Sequence, residues 1–367
     1  MRIIAMDFET FYDSDYTLLG AKGLTIEEYI RDPRFETIMV GLKMDLRETV
    51  WVPAPKIPAL FKELPWHDLA VLSHHSHFDM AILNWIYGYT PGFILDTLPM
   101  FRALYPAEAA SLDNMTQVLG LPPKGHEVEN AKGKHFADFT PEQLHLYGAY
   151  CVNDVERTRE AFDLMKGEFP LDELRLSDMT TRLATEPVLL LDEALLLEAQ
   201  ADELERKRKL LVKVGVDAKA LRSNPVLAEL LMQQGVDPPK KVSPAWRKKN
   251  PKVSAGEEPV GLLEKGDKIW AYAFSQSDEV FKGMLSSDNE VLQALVEARF
   301  GVKSAITETR LGRLLGISRR GTLPVSLSYY AAHTGRFGGT GKLNLQNLTR
   351  SCTAEGCDGG KINGNNA

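Results

Sequence analysis

Residues 2–10 read RIIAMDFET, a run dominated by branched and apolar side chains that predicts a short β-strand. Residues i and i+2 of a strand share a face, so Asp7 and Glu9 would project together while Met6 and Phe8 turn away. Two carboxylates on one face of a buried sheet are costly unless cations balance them. A strand end with two solvated acids is the plainer alternative. Working outward, TIMVGLKMD (37–45) followed by TVWVP (49–53) predicts a hairpin. AVLSHHS (70–76) predicts another strand, leading into a helical HFDMAILNWIYG ended by Gly88. After FILDTLPMFRALYP (93–106) and SLDNMTQVLGL (111–121) comes a long helix opened by Thr140 as N-cap, Pro141, Glu142 and Gln143. Strands and helices mixed at this spacing predict an α/β fold.

The pattern shifts near 166–175. From there to about 320 it is mainly helical, in DEALLLEAQADELERKRKLLVKVG, NPVLAELLMQQG, SDEVFKGMLSSDNEVLQALVEARFG and SAITETRLGRLLGIS. Charged helices with narrow apolar faces suggest an extended arm. Linkers are expected at 237–259 and 320–325, then a Gly-rich segment and a polar tail.

The chain of 367 residues is long enough for two or three domains, and 44% hydrophobic with 25% charged residues is ordinary for a globular protein. No apolar run approaches the roughly 20 residues that cross a bilayer, and Asp7 interrupts the apolar start that a signal peptide would need. A cytoplasmic location and no membrane partner are expected. Three cysteines, Cys151, Cys352 and Cys357, fit a reducing compartment, with the last two read as free thiols. A net charge of −7 argues against a surface that is basic throughout. Local binding remains open: 240–252 carries six basic residues and no acid, as a phosphate contact or a solvated loop.

Asp79 opens an apolar helix, where it could serve as an ordinary cap or aim at a shared metal site. Tyr150 and Asp154 lie four apart on one helix face, either packed and exposed respectively or directed together at that site. Taken in order, DFET…HFD…YCVND resembles the three motifs of DnaQ-like, RNase H-fold 3′–5′ exonucleases, the proofreading domain of bacterial and phage family A DNA polymerases. Tyr150 four residues before Asp154, with Ala149 beside it, matches the tyrosine type. One departure stands in the second motif, where His75 occupies a position commonly held by Asn, in a trio with His74 and His77. The oxygen-rich donor set favours two Mg²⁺ or Mn²⁺ ions over zinc. The resemblance implies that Asp7 bridges both ions, Glu9 and Asp154 hold the first, and Asp79 supports the second. Tyr150 would orient the attacking water, and the products would be nucleoside monophosphates. A single-stranded DNA 3′ end is the implied substrate.

The segment SYYAAHTGRFGGTGKLNLQNLTR resembles the stretch joining thumb to palm in family A polymerases. Its His333, Thr334, Arg336, Asn344, Gln346 and Asn347 would hold primer–template DNA. Upstream, Lys303, Ser304, Thr307 and Arg310 resemble thumb residues facing the duplex backbone. The implied architecture is an RNase H-like exonuclease domain over 1–168 and a mainly α-helical thumb-like region over 169–325. A primer–template segment would follow at 326–350, then a polar tail at 351–367. The palm acids and fingers helix of the family do not occur before Ala367, so the chain is expected not to polymerise alone: it is either a truncated piece or one half of a split polymerase whose palm and fingers are a separate chain. Two further readings are a stand-alone exonuclease trimming single-stranded DNA or RNA, and a non-catalytic DNA-binding subunit.

Overall fold

The computed structural model describes residues 1–18, 20, 23–123, 131–249, 270–332 and 334–347. His333, Cys352, Cys357, the tail 351–367 and the end of the basic run at 250–252 lie outside the described residues.

Packing divides the chain into two compact units, Met1–Leu191 with the described residues from Ile317 onward, and Asp192–Gly316. The first holds β1 (Arg2–Thr10), α1 (Ile26–Ile30), β2 (Thr37–Met44), β3 (Val50–Pro53), α2 (Ile57–Lys62), β4 (Leu69–Ser73) and α3 (His77–Ala81). β5 (Phe93–Asp96), α4 (Thr97–Leu104), α5 (Leu112–Val118), α6 (Pro141–Met165) and α7 (Leu171–Thr185) follow. The five strands form one sheet in the order β3-β2-β1-β4-β5. β1 runs antiparallel to β2 and parallel to β4, β4 is parallel to β5, and β2 and β3 make the expected hairpin. This is a mixed α/β fold, as the alternation of elements implied.

Strand period 2 sorts β1 between two cores. Ile4, Met6 and Phe8 pack on one face with Val71, Ile82 and Phe61. Ala5 turns to the other face, with Leu72, Leu95 and Val155 of α6. Asp7 and Glu9 continue the Ala5 face, and the ladder slips register between Glu9 and Thr10. A bulge there re-aims side chains at the strand end. The helix over α6 starts as its sequence implied: Gln143 N donates to Thr140 Oγ1 at 3.2 Å, and Thr140 N donates back to Gln143 Oε1. That reciprocal cap stabilises a helix by roughly 1 kcal/mol.

α7 packs on the sheet, so the shift to helices at 166–175 is not where the compact units divide. Ile94 N donates to Asp178 Oδ1 at 2.8 Å, and Trp85 Nε1 donates to Thr185 O at 2.8 Å. The returning segment is stitched to the same helix, with Val325 N donating to Leu183 O at 3.0 Å.

The second unit contains α8 (Glu193–Val214), α9 (Ala218–Arg222), α10 (Asn224–Gln233), β6 (Lys240–Val242), α11 (Pro244–Lys249), β7 (Trp270–Tyr272), α12 (Glu279–Gly283), α13 (Glu290–Lys303) and most of α14 (Ile306–Arg320). It is more than an arm: Leu221, Leu227, Leu231, Phe274, Phe281, Leu295 and Val296 form a core of their own. Arg299 is fully buried there, donating to Leu221 O and Asn224 Oδ1. Among the described residues no helix is long and apolar enough to cross a membrane.

Candidate active site

The acids of β1 meet α3 and α6 at one end of the sheet. Phe8 N, between Asp7 and Glu9, donates to Asp79 Oδ1 at 3.0 Å. Asp79 therefore does not cap its own helix: Ser76 stands at the N-cap position, and the carboxylate is spent on a strand 71 residues away. Burial pushes the Asp79 carboxyl well above its usual value, the facing Asp7 pushes it further, and the Phe8 amide opposes both. A carboxyl crowded in this way is one that a cation would relieve.

Across β1, α6 lies unusually close to β2. Gly41 pairs with Asp7, and a Cβ there would stand 2.8 Å from both Cys151 Sγ and Val155 Cγ2. One turn earlier, a Cβ at Gly148 would stand 2.5 Å from the Trp51 ring on β3. The two glycines let the helix settle onto the sheet, which brings its inner face to the acids. Asp7, Glu9 and Cys151 each offer one ligand atom within 4.8 Å of the others. The two carboxylates suit a hard divalent cation. The thiol does not, because burial and the acids Glu9 and Asp7 keep it protonated, and it sits 3.5 Å from Asp7 O as a donor.

Tyr150 and Asp154 share this face and are both buried. Burial, then Asp154, Glu9 and Asp7, hold the Tyr150 hydroxyl well above its usual range, with a hydrogen bond to Asp154 contributing. It remains a neutral donor at physiological pH. Thus Asp7, Glu9, Asp79, Tyr150 and Asp154, scattered over the first 154 residues, are brought together.

Two residues here were not singled out from sequence. Tyr147 OH donates to Glu9 Oε2 at 2.6 Å, and Cys151 packs under Asp7. The signal was present: 147, 150, 151 and 154 follow the i, i+3, i+4, i+7 spacing of one helix face.

His75 adopts a left-handed backbone, φ 70°, held by Asp96, which accepts from His75 N and Ser76 N at 2.9 Å each. A left-handed backbone of this kind favours Asn or Gly. No zinc arrangement forms among these histidines: His74 Nδ1 bonds Thr97 Oγ1 at 2.9 Å, while His75 and His77 face a separate cavity. Burial lowers both of the latter, His77 to about 4, so their rings are neutral. The cavity, about 460 Å³, also receives Arg102, Thr181, Ser328 and Lys342.

The residues expected to contact primer–template fall in different compact units. Lys303 ends α13, Ser304 caps it with its carbonyl accepting from Lys207 Nζ at 2.7 Å, and Arg310 lies on α14, all in the second unit. Burial, Arg299 and Lys241 hold the Lys303 amine below its usual value. Thr334, Arg336, Asn344, Gln346 and Asn347 belong to the first unit. Leu327–Ser328 pairs there with Gly338–Gly339, leaving Thr334 and Arg336 exposed at the turn. Asn344 is engaged locally, its Oδ1 accepting from Gln346 N at 3.0 Å, while Gln346 and Asn347 are exposed.

No family model matches the chain, and no curated protein matches it. Among solved structures it is similar to the POL domain of Pol1 from M. smegmatis in complex with DNA primer-template and dNTP. That match has a TM-score of 0.54 at 12% identity and covers 96% of this chain and 53% of that one. The chain therefore spans about half the length of that POL domain, and the likeness is one of fold. Partial likenesses are to NrnC with bound Mg²⁺ from Brucella melitensis and to RNase D in complex with RNA U12 from Trypanosoma brucei. The first has a TM-score of 0.34 at 16% identity, over 49% of this chain and 80% of that one. The second has 0.34 at 19%, over 44% and 55%.

Proposed function

We propose that the chain is a metal-dependent 3′–5′ exonuclease that releases nucleoside monophosphates from a DNA 3′ end, as the proofreading part of a family A DNA polymerase. The observation that carries the hydrolytic reading is the bond from Phe8 N to Asp79, which ties the second acid-bearing element to the strand presenting Asp7 and Glu9. Asp7, Glu9 and Asp154 would hold two Mg²⁺ or Mn²⁺ ions, with Asp79 in support. Bound there, such ions supply a water nucleophile at neutral pH and neutralise charge on the phosphate. Tyr150 keeps its proton, and its hydroxyl, bonded to Asp154, would orient the attacking water beside that carboxylate. Gly41 and Gly148 hold α6 at the depth this needs. The cavity lined by His77, on the helix that carries Asp79, is also lined by Arg102 and several hydroxyls, which suit a strand backbone.

The polymerase setting is supported by the fold likeness to a POL domain and by the motif resemblance over 303–347. In that setting Lys303, Ser304, Arg310, Thr334, Arg336, Gln346 and Asn347 contact primer–template, with Asn344 shaping the turn. The test is digestion of a 5′-labelled single strand in Mg²⁺, with an RNA strand of the same sequence alongside. A ladder shortening from the 3′ end, monophosphate products and loss of both in Asp154→Ala support the proposal. Internal fragments, or equal activity in Asp154→Ala, overturn it. Faster trimming of the RNA strand overturns the DNA assignment alone.

A further inference from the structure

We propose that Tyr147 is a positioning residue for Glu9, fixing how that carboxylate is presented to a divalent cation; this rests on the hydrolytic reading above. The hydroxyl donates to Glu9 Oε2 at 2.6 Å in a buried setting. A carboxylate at the end of a flexible side chain turns broadly about its last torsion, and a short charge-assisted bond removes that freedom. Tyr147 is itself held. Its ring stacks on Phe139, with centroids 5.6 Å apart and planes 13° apart, and on Tyr150 at 6.2 Å and 25°. Trp51 closes against Gly148, the next residue, setting the height of the helix on the sheet. A tyrosine hydroxyl is neutral at physiological pH, and against a carboxylate oxygen it can only donate.

The two tyrosines of α6 then divide the acids between them. Tyr147 serves Glu9 on the strand, and Tyr150 serves Asp154 on its own helix. Partners of this kind orient metal ligands from behind, and their loss weakens metal affinity or activity by about 10–100-fold.

The test is Mn²⁺ binding to the full chain, read from the electron paramagnetic resonance of the free ion, for wild type and Tyr147→Phe. That substitution keeps the stacked ring and removes only the hydroxyl. We expect Mn²⁺ affinity to fall roughly tenfold or more, with digestion largely recovered at high Mn²⁺. Phe139→Leu disturbs the stack but leaves the hydroxyl, and its loss of Mn²⁺ affinity should be clearly smaller than that of Tyr147→Phe. Equal Mn²⁺ binding by wild type and Tyr147→Phe overturns the assignment to Tyr147 alone. An equal loss in Phe139→Leu also overturns it, because the effect is then packing. A wild-type chain that binds no Mn²⁺ overturns the hydrolytic reading and this inference with it.

Discussion

Adding one methyl group at Gly41 should pull the two halves of the site apart. Gly41 is the cross-strand partner of Asp7, and a Cβ there would lie 2.8 Å from Cys151 Sγ and Val155 Cγ2. That is about 0.7 Å inside the ~3.5 Å at which non-bonded heavy atoms attract. Neither side chain has room to yield, since both are fully buried, and the Cys151 carbonyl would stand 3.2 Å away as well. The helix must therefore lift. Over-packing of this kind costs roughly 1–3 kcal/mol, and each kcal/mol lowers Tm by roughly 2–4 °C in a domain of this size. Lifting α6 also carries Tyr150 and Asp154 away from Asp7 and Glu9. Misplacement approaching 1 Å can cost on the order of 100-fold in rate. The assay is mononucleotide release from a labelled single strand in Mg²⁺, with Tm followed by circular dichroism. Gly41→Ala should lose several degrees and roughly tenfold or more in rate. Wild-type values for both would refute the close approach of α6 as the device that assembles the site.

Three other substitutions probe separate parts of the account. Asp79 has a folded pKa raised above its unfolded value, so metal-free stability falls as pH rises through the folded value. Asp79→Asn can keep the Phe8 bond without the charge; at pH 7 its Tm in EDTA should exceed wild type, and Mg²⁺ should raise it less. An unchanged EDTA Tm would contradict the crowding of acids. His75→Asn should raise Tm modestly, because a left-handed backbone costs most residues about 1–2 kcal/mol and Asn tolerates it; a lower Tm would show that the imidazole contributes more than the strain removes. At Asp278, burial would raise the pKa, but Lys241 Nζ at 2.5 Å and Ser275 hold it below the usual range. That stability is present above the unfolded value of roughly 3.9 and is lost as pH falls through the lower folded value. Asp278→Asn should therefore unfold earlier than wild type in urea at pH 7, with the gap closing towards pH 3; a gap independent of pH would refute it.

The sheet was legible where its strands carried alternation or a hairpin, as in β1, β2 and β3. β5 was not, because three apolar residues followed by Asp96, in a parallel sheet, read equally well as the start of a helix. Asp7, Glu9, Tyr150 and Asp154 were legible as pairs because periods 2 and 3.6 place them on shared faces. The partner of Asp79 was not, since nothing local announces a bond to Phe8 N across 71 residues. The placement of α7 on the sheet was equally hidden, resting on Asp178 and Thr185 bonds to distant residues. Tyr147 went unread for a different reason: a tyrosine on an apolar helix face looks the same whether it fills a core or donates to an acid.

The proposed function makes the acids of β1 the working groups of a metal-dependent exonuclease. It is tested most directly by comparing wild type with the double variant Asp7→Ala, Glu9→Ala on a single-stranded DNA 3′ end in Mg²⁺. The account predicts steady release of nucleoside monophosphates by the wild type, abolished by EDTA, and none by the double variant. Release by both proteins alike, or by neither, would contradict it.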